Sequence, residues 1–183
     1  MNSKYCTYDS VNKIWSGRKR QQIYNTEANA GYLFLQKLIQ TPKNTFQISD
    51  DTGVELTNAD VYERSLKFAN FLTQMNLKQG DVVGLIASNS ENLVPIIFGC
   101  FVIGVAVNPL SILMGVEDIV YMWSKIKPKV IFSDGKIVAT VKNAVDKMEL
   151  HAMICTLINK FEGFQHAQEI LDEDFNAEDF EWV

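Results

Sequence analysis

The strongest constraint on the fold lies between residues 82 and 158, where short apolar runs alternate with amphipathic stretches. Val82-Val-Gly-Leu-Ile-Ala87, Val105-Ala-Val107, Val130-Ile-Phe132 and Ala152-Met-Ile-Cys-Thr-Leu-Ile158 have strand length and are apolar throughout or nearly so. Between them, residues 91–103 read as a helix, and Val116, Ile119, Val120, Trp123 and Ile126 keep i, i+3, i+4, i+7 spacing. Ile137, Val138, Val141, Ala144, Val145 and Met148 mark a further helix. Strands apolar on both faces need helices on both sides, which is the arrangement of a parallel sheet. Right-handed crossovers make this a doubly wound βαβαβαβ unit, so the predicted fold class is α/β.

The residues before this unit predict smaller elements. Residues 1–26 have no sustained period and read as an extended arm. Tyr32, Leu35, Leu38 and Ile39 recur at helical spacing, with Asn29 or Gly31 at the start and Pro42 as the stop. Residues 45–48 and 54–57 flank Asp50-Asp-Thr-Gly53, whose residues tolerate a tight turn, and predict a small β-hairpin. Thr57 and Asp60 form a variant capping box that opens a helix with Val61, Leu66, Phe68, Ala69, Leu72 and Met75 on its apolar face. Three parts are therefore expected: an arm over 1–26, an α/β body over 27–160, and an acidic, aromatic connector over 161–183. In that connector Phe161, Phe164, Ile170, Leu171, Phe175, Phe180 and Trp182 complete no predicted strand or helix, so the chain is expected to stop in mid-fold.

Charge and cysteine usage exclude several classes of function. All 17 Lys and Arg lie before residue 168, whereas seven of the 22 acids lie after 167, so the acidity belongs to the tail. A near-neutral body offers no basic face for phosphates, which argues against nucleic acid as a partner. Arg18-Lys19-Arg20 is the one basic run and reads as a solvated segment. Cys6, Cys100 and Cys155 are odd in number and form no CxxC pair, which argues for a reducing compartment and against a thiolate metal site. No apolar signal peptide is visible in the first 25 residues. The longest apolar stretch, Leu93 to Val107, falls short of the ~20 residues a spanning helix needs, so no transmembrane segment is expected.

Sites for chemistry are sparse. Gly80 and Gly84, then Gly99 and Gly104, do not give GxGxxG, and Gly135-Lys136 has Val130 where a phosphate-binding loop needs its first glycine. His151 and His166 have no Cys or acid at ligand spacing and read as ordinary positions. Ser88 and Ser90 flank Asn89 without a nucleophile elbow, and read as loop residues. Asp50-Asp51 is better explained by turn hydrogen bonds than by acid/base work. No catalytic, cofactor-binding or metal-ligating residue is assigned.

Larger blocks of sequence carry more information than these motifs. Tyr8-Asp9, Lys13-Ile-Trp-Ser-Gly17, Ile23-Tyr-Asn25 and Gly31 resemble the N-terminal arm of insect firefly-luciferase-like acyl-CoA ligases. Gly80-Asp-Val-Val-Gly-Leu-Ile-Ala-Ser-Asn-Ser-Glu91, Gly99 and Phe101-Val-Ile-Gly-Val-Ala-Val-Asn-Pro-Leu110 resemble the early core of the same adenylate-forming, AMP-binding superfamily, which includes the 4-coumarate-CoA-ligase-like enzymes. Glu117 and Lys127-Pro-Lys-Val-Ile-Phe-Ser-Asp134 continue the likeness, which covers nearly the whole chain.

This resemblance implies the N-terminal part of an acyl-CoA synthetase that activates a fatty or aryl carboxylic acid with ATP and Mg²⁺, forms an acyl-adenylate and passes the acyl group to coenzyme A. It also implies that the family's Ser/Thr/Gly-rich phosphate loop, adenine-stacking segment, ribose-binding Asp, hinge and C-terminal Lys lie outside these residues. The chain alone is then expected to be inactive, with the missing remainder of the enzyme as its partner. By family it is intracellular, with peroxisomal location favoured over cytoplasmic, although Glu181-Trp-Val183 is no peroxisomal address. The alternatives are a stand-alone interaction module using Phe175, Phe180 and Trp182, a small flavodoxin-like binder, and luciferase-type oxidation in a longer protein.

Overall fold

The computed structural model describes residues 5–17, 23–25, 28–177 and 180, so the Arg18-Lys19-Arg20 run and Trp182 lie outside the described residues. The arm is not featureless. Strands β1 (Cys6–Asp9) and β2 (Ile14–Gly17) pair antiparallel, with Tyr8 opposite Trp15 and their rings 4.7 Å apart. Asp9 Oδ1 accepts from the backbone N–H groups of Val11 and Asn12, which shapes the turn, and Lys13 adopts φ 57°. Four-residue strands are too short to carry a sustained period; the Asx-type turn at Asp9 was the available signal.

Helix α1 (Ala30–Gln40) starts at Asn29, whose side chain accepts from the Tyr32 N–H, and ends just before Pro42. Strands β3 (Thr45–Ile48) and β4 (Glu55–Thr57) form the expected hairpin, with Gly53 at φ 70° in its turn. Helix α2 (Asn58–Gln74) opens with the predicted box. Thr57 Oγ1 accepts from the Asp60 N–H at 3.2 Å, while Asp60 Oδ2 accepts from the Thr57 N–H at 2.7 Å and from its hydroxyl at 2.6 Å.

Those bonds, the side-chain one first, hold the Asp60 carboxyl below its ordinary value of 3.8. Its ionised form therefore adds stability above the unfolded value, and that stability is lost as pH falls through the lower folded value. Thr57→Ala is expected to cost about 1 kcal/mol at neutral pH and to cost less at pH below 3.8, as urea unfolding at the two pH values would show.

The sheet follows. In chain order come β5 (Val82–Ile86), α3 (Leu93–Val102), β6 (Ala106–Pro109), α4 (Val116–Ile126), β7 (Val130–Ser133), α5 (Val138–Lys147) and β8 (Met153–Thr156). Strand β9 (Gln165–His166) and α6 (Ala167–Asp172) close the series. All five strands of this sheet pair parallel in the order β6-β5-β7-β8-β9. The side chains alternate between two cores. Val83, Leu85, Val130, Phe132 and Cys155 pack with residues of α2, α3 and α6, whereas Ile86, Ile131 and Ile154 pack with those of α4 and α5. Strand β6 begins one residue later than its apolar run because Gly104 turns at φ 68° and the Val105 N–H still bonds to the Cys100 carbonyl.

The segment after residue 160 differs from the expected connector. β9 adds a fifth parallel strand, α6 buries Ala167, Ile170 and Leu171, and Phe175 packs against the same core. A two-residue strand has no pattern, and the N-cap of α6 is His166, a residue outside the usual capping set. Its Nδ1 accepts from the Gln168 N–H at 3.1 Å, and Glu169 Oε2 accepts from the His166 N–H at 3.1 Å. Phe175 and Phe180 meet edge-on at 6.4 Å, and both pack partly buried against the same core. Among the described residues, no helix is long and apolar enough to cross a membrane.

Candidate functional site

In this strand order the chain leaves β5 toward β6 on one side and returns to β7 on the other. Open parallel sheets bind ligands outside the carboxyl ends of the strands at such a switch point. Here β5 runs into Ala87-Ser-Asn-Ser90 and β7 into Asp134. Asp134 is only 5% exposed, and its Oδ2 accepts from the Ser88 N–H at 3.0 Å and the Ser88 hydroxyl at 2.8 Å. The Asp134 N–H donates to the Ile86 carbonyl, so backbone and side chain both tie the two strand ends together. Around this clamp, Gln47 Nε2 donates to the Ser90 carbonyl at 3.4 Å and Arg64 Nη1 to Asn92 Oδ1 at 2.7 Å.

Three buried polar side-chain atoms among the described residues lack hydrogen-bond partners: Ser90 Oγ, Asp134 Oδ1 and His166 Nε2. All three belong to segments at the carboxyl edge of the sheet. Polar atoms left unmatched in a protein interior cost free energy, so their concentration here marks this edge as the candidate site. Beside it, the β3–β4 turn brings Asp50 and Asp51 to the same open cleft as Gln47, Asn89 and Ser90, with a volume of about 370 Å³.

The sequence candidates fall as follows. The Ser88 hydroxyl donates to the Asp134 carboxylate and not to a histidine, so Ser88 forms half of a strand-end clamp. His166 caps α6, while His151 is exposed in the loop before β8, beside an open groove lined also by Lys142, Asp146 and Phe164. Burial pushes the Cys100 and Cys155 thiols up to about 12, which leaves them protonated and inert. At Gly135 a Cβ would stand 2.1 Å from the Asn159 carbonyl oxygen, so the Gly135-Lys136 turn is packed shut by backbone. Sequence reasoning missed the Asp134–Ser88 clamp. Its available signal was an Asp directly after one buried strand and a Ser directly after another.

These residues do not fit a nucleotide triphosphate. The edge presents Asp134, Asp50 and Asp51 where phosphates need cations and free backbone N–H groups. Arg64 is engaged by Asn92, and Lys67 by the Leu171 carbonyl at 2.6 Å and Glu63 at 3.4 Å.

The sequence pattern shared by the AMP-binding enzymes matches residues 34–181. The chain belongs to this family. Mouse long-chain fatty acid transport protein 6 is 26% identical over 140 residues, covering 75% of this chain and 22% of that protein. The luciferase-like enzyme of the nonluminescent mealworm Zophobas morio shares the fold at a TM-score of 0.80 and 18% identity, over 88% of this chain and 39% of that one. A benzoate CoA ligase from Burkholderia xenovorans LB400 does so at 0.70 and 19%, over 79% and 28%. This chain thus spans 22–39% of the length of those relatives, and its parallel sheet is a fold common to adenylate-forming enzymes.

Proposed function

We propose that the chain forms the N-terminal α/β portion of an ATP-dependent carboxylic acid–CoA ligase. In that reaction the acid's carboxylate attacks the α-phosphorus of ATP, releasing pyrophosphate and leaving an acyl-adenylate; the thiol of coenzyme A then displaces AMP. The family match over residues 34–181 carries this reading. The names of the mouse transport protein and the bacterial benzoate ligase support a fatty or aryl acid as substrate. A fatty acid would fit a peroxisomal setting. Residues 1–26 would be an arm and the α/β body would begin at residue 27, with the segment from 161 completing its sheet.

ATP, Mg²⁺ and coenzyme A would be held by parts of the enzyme other than the carboxyl edge described above. The 183-residue chain by itself is therefore expected to show no ATP–pyrophosphate exchange with any fatty or aryl acid. A chimera in which it replaces the matching segment of the mealworm enzyme is expected to show exchange. Exchange by the chain alone, or a folded chimera without any, would overturn this reading.

A further inference from the structure

The β1–β2 hairpin is a two-stranded sheet of its own, and such a hairpin has little stability in water without a surface to cover it. Its turn is closely bonded: Asp9 Oδ1 accepts from the Val11 and Asn12 N–H groups, and Oδ2 accepts from the Asn12 amide at 2.8 Å. The only acid of the arm thus has both oxygens occupied. What the hairpin presents to solvent is apolar. Val11 at the tip is 87% exposed, Ile14 55% and Trp15 60%. Ile23 and Tyr24, which follow the strands, are exposed as well. Single exposed apolar side chains are ordinary, but several on one small hairpin mark a contact surface.

Charge says what kind of contact. Residues 1–26 carry five Lys and Arg against one acid, whereas residues 27–183 carry 12 against 21. The arm is the cationic part of an acidic chain, so an anionic surface attracts it while repelling the body. Nucleic acid and an anionic bilayer both offer that charge, and the exposed side chains decide between them. Val11, Ile14 and Ile23 have no ring to stack on a base, and Tyr8 already packs on Trp15 with centroids 4.7 Å apart. Aliphatic side chains gain instead from entering the boundary between headgroups and acyl chains, where Trp and Tyr also concentrate. The register, Asp9 opposite Ile14 and Tyr8 opposite Trp15, sets the aromatic pair about 7 Å behind the turn. That lies within the roughly 5–10 Å an interfacial segment enters. We infer that the β1–β2 hairpin is a peripheral anchor for an anionic lipid bilayer, entering tip-first through Val11 and Ile14 with Tyr8 and Trp15 at headgroup level. This rests on the arm alone and not on the ligase chemistry.

The test is co-sedimentation of the 183-residue chain at low salt with phosphatidylcholine vesicles containing about 30% phosphatidylserine. The chain is expected to sediment with them, and to bind roughly tenfold or more weakly to phosphatidylcholine alone or in about 0.5 M salt. The double substitution Val11→Ser, Trp15→Ser is expected to lower affinity by roughly tenfold or more. Tyr121→Ser, at an exposed position on α4, is expected to leave it unchanged. The double variant should melt within a few degrees of the parent, because the hairpin is a separate sheet, which separates lost anchoring from lost folding. Failure to sediment with the anionic vesicles, equal binding to neutral ones, binding that survives the double substitution, or tighter binding to poly(U) RNA than to the anionic vesicles would each overturn the inference. Vesicle binding without pyrophosphate exchange in the chimera would leave it standing while counting against the ligase reading.

Discussion

Trp123→Ala is expected to lower the free energy of unfolding by about 4 kcal/mol, a large share of the 5–15 kcal/mol typical of a domain. Trp123 is fully buried between α4 and the sheet. A Cβ on Gly84 would stand 2.9 Å from its Cζ2, so the ring lies directly against β5. Its Nε1 donates to Asn108 Oδ1 at 3.1 Å, which ties α4 to β6 as well. Truncation would remove the largest side chain of that core and leave the Asn108 amide oxygen unmatched. Trp123→Phe keeps most of the volume and is expected to cost about 1–2 kcal/mol, mainly for the hydrogen bond. Urea unfolding of the two variants checks the difference; losses of similar size would show that the hydrogen bond outweighs the packing.

Gly31→Ala is expected to destabilise by about 3 kcal/mol, against the sign that helix propensity alone would give. Replacing a helical glycine by alanine ordinarily gains up to about 1 kcal/mol. Here the three atoms nearest the new Cβ, at 2.3, 2.5 and 2.6 Å, are all backbone of Phe101 and Val102, and backbone cannot rotate aside. Steric conflict therefore exceeds propensity, and α1 must lift from α3. Gly17→Ala provides the contrast, because nothing lies within 4 Å of its Cβ position. Thermal melts of the two variants should fall far apart; a Gly31→Ala protein as stable as its parent would mean that α1 packs elsewhere.

The elements visible in the sequence were helices long enough to carry a period and strands that are continuously apolar or flank a recognisable turn. The runs at Val82, Val130 and Ala152 became buried parallel strands because hydrophobic burial is set by composition and does not depend on which neighbour is met. The Asn29 and Thr57 caps were legible because a capping bond spans only three residues. Strand β9 and helix α6 were not, since what holds them lies on other elements: β9 pairs with β8, and Lys67 of α2 donates to the Leu171 carbonyl from 104 positions away. The same limit hid the candidate site. Ser88 and Asp134 are 46 residues apart, and each alone is an ordinary loop residue.

By itself, then, the sequence determined an α/β chain with a parallel sheet, the starts of its first two helices, and a likeness to the adenylate-forming enzymes. Only the tertiary structure decided the strand order, the buried clamp at the switch point, the docking of the segment after residue 160, and the β1–β2 hairpin with its exposed apolar tip. Local periodicity and short-range hydrogen bonds are written in neighbouring residues, whereas packing partners and unmatched polar atoms exist only once distant segments meet.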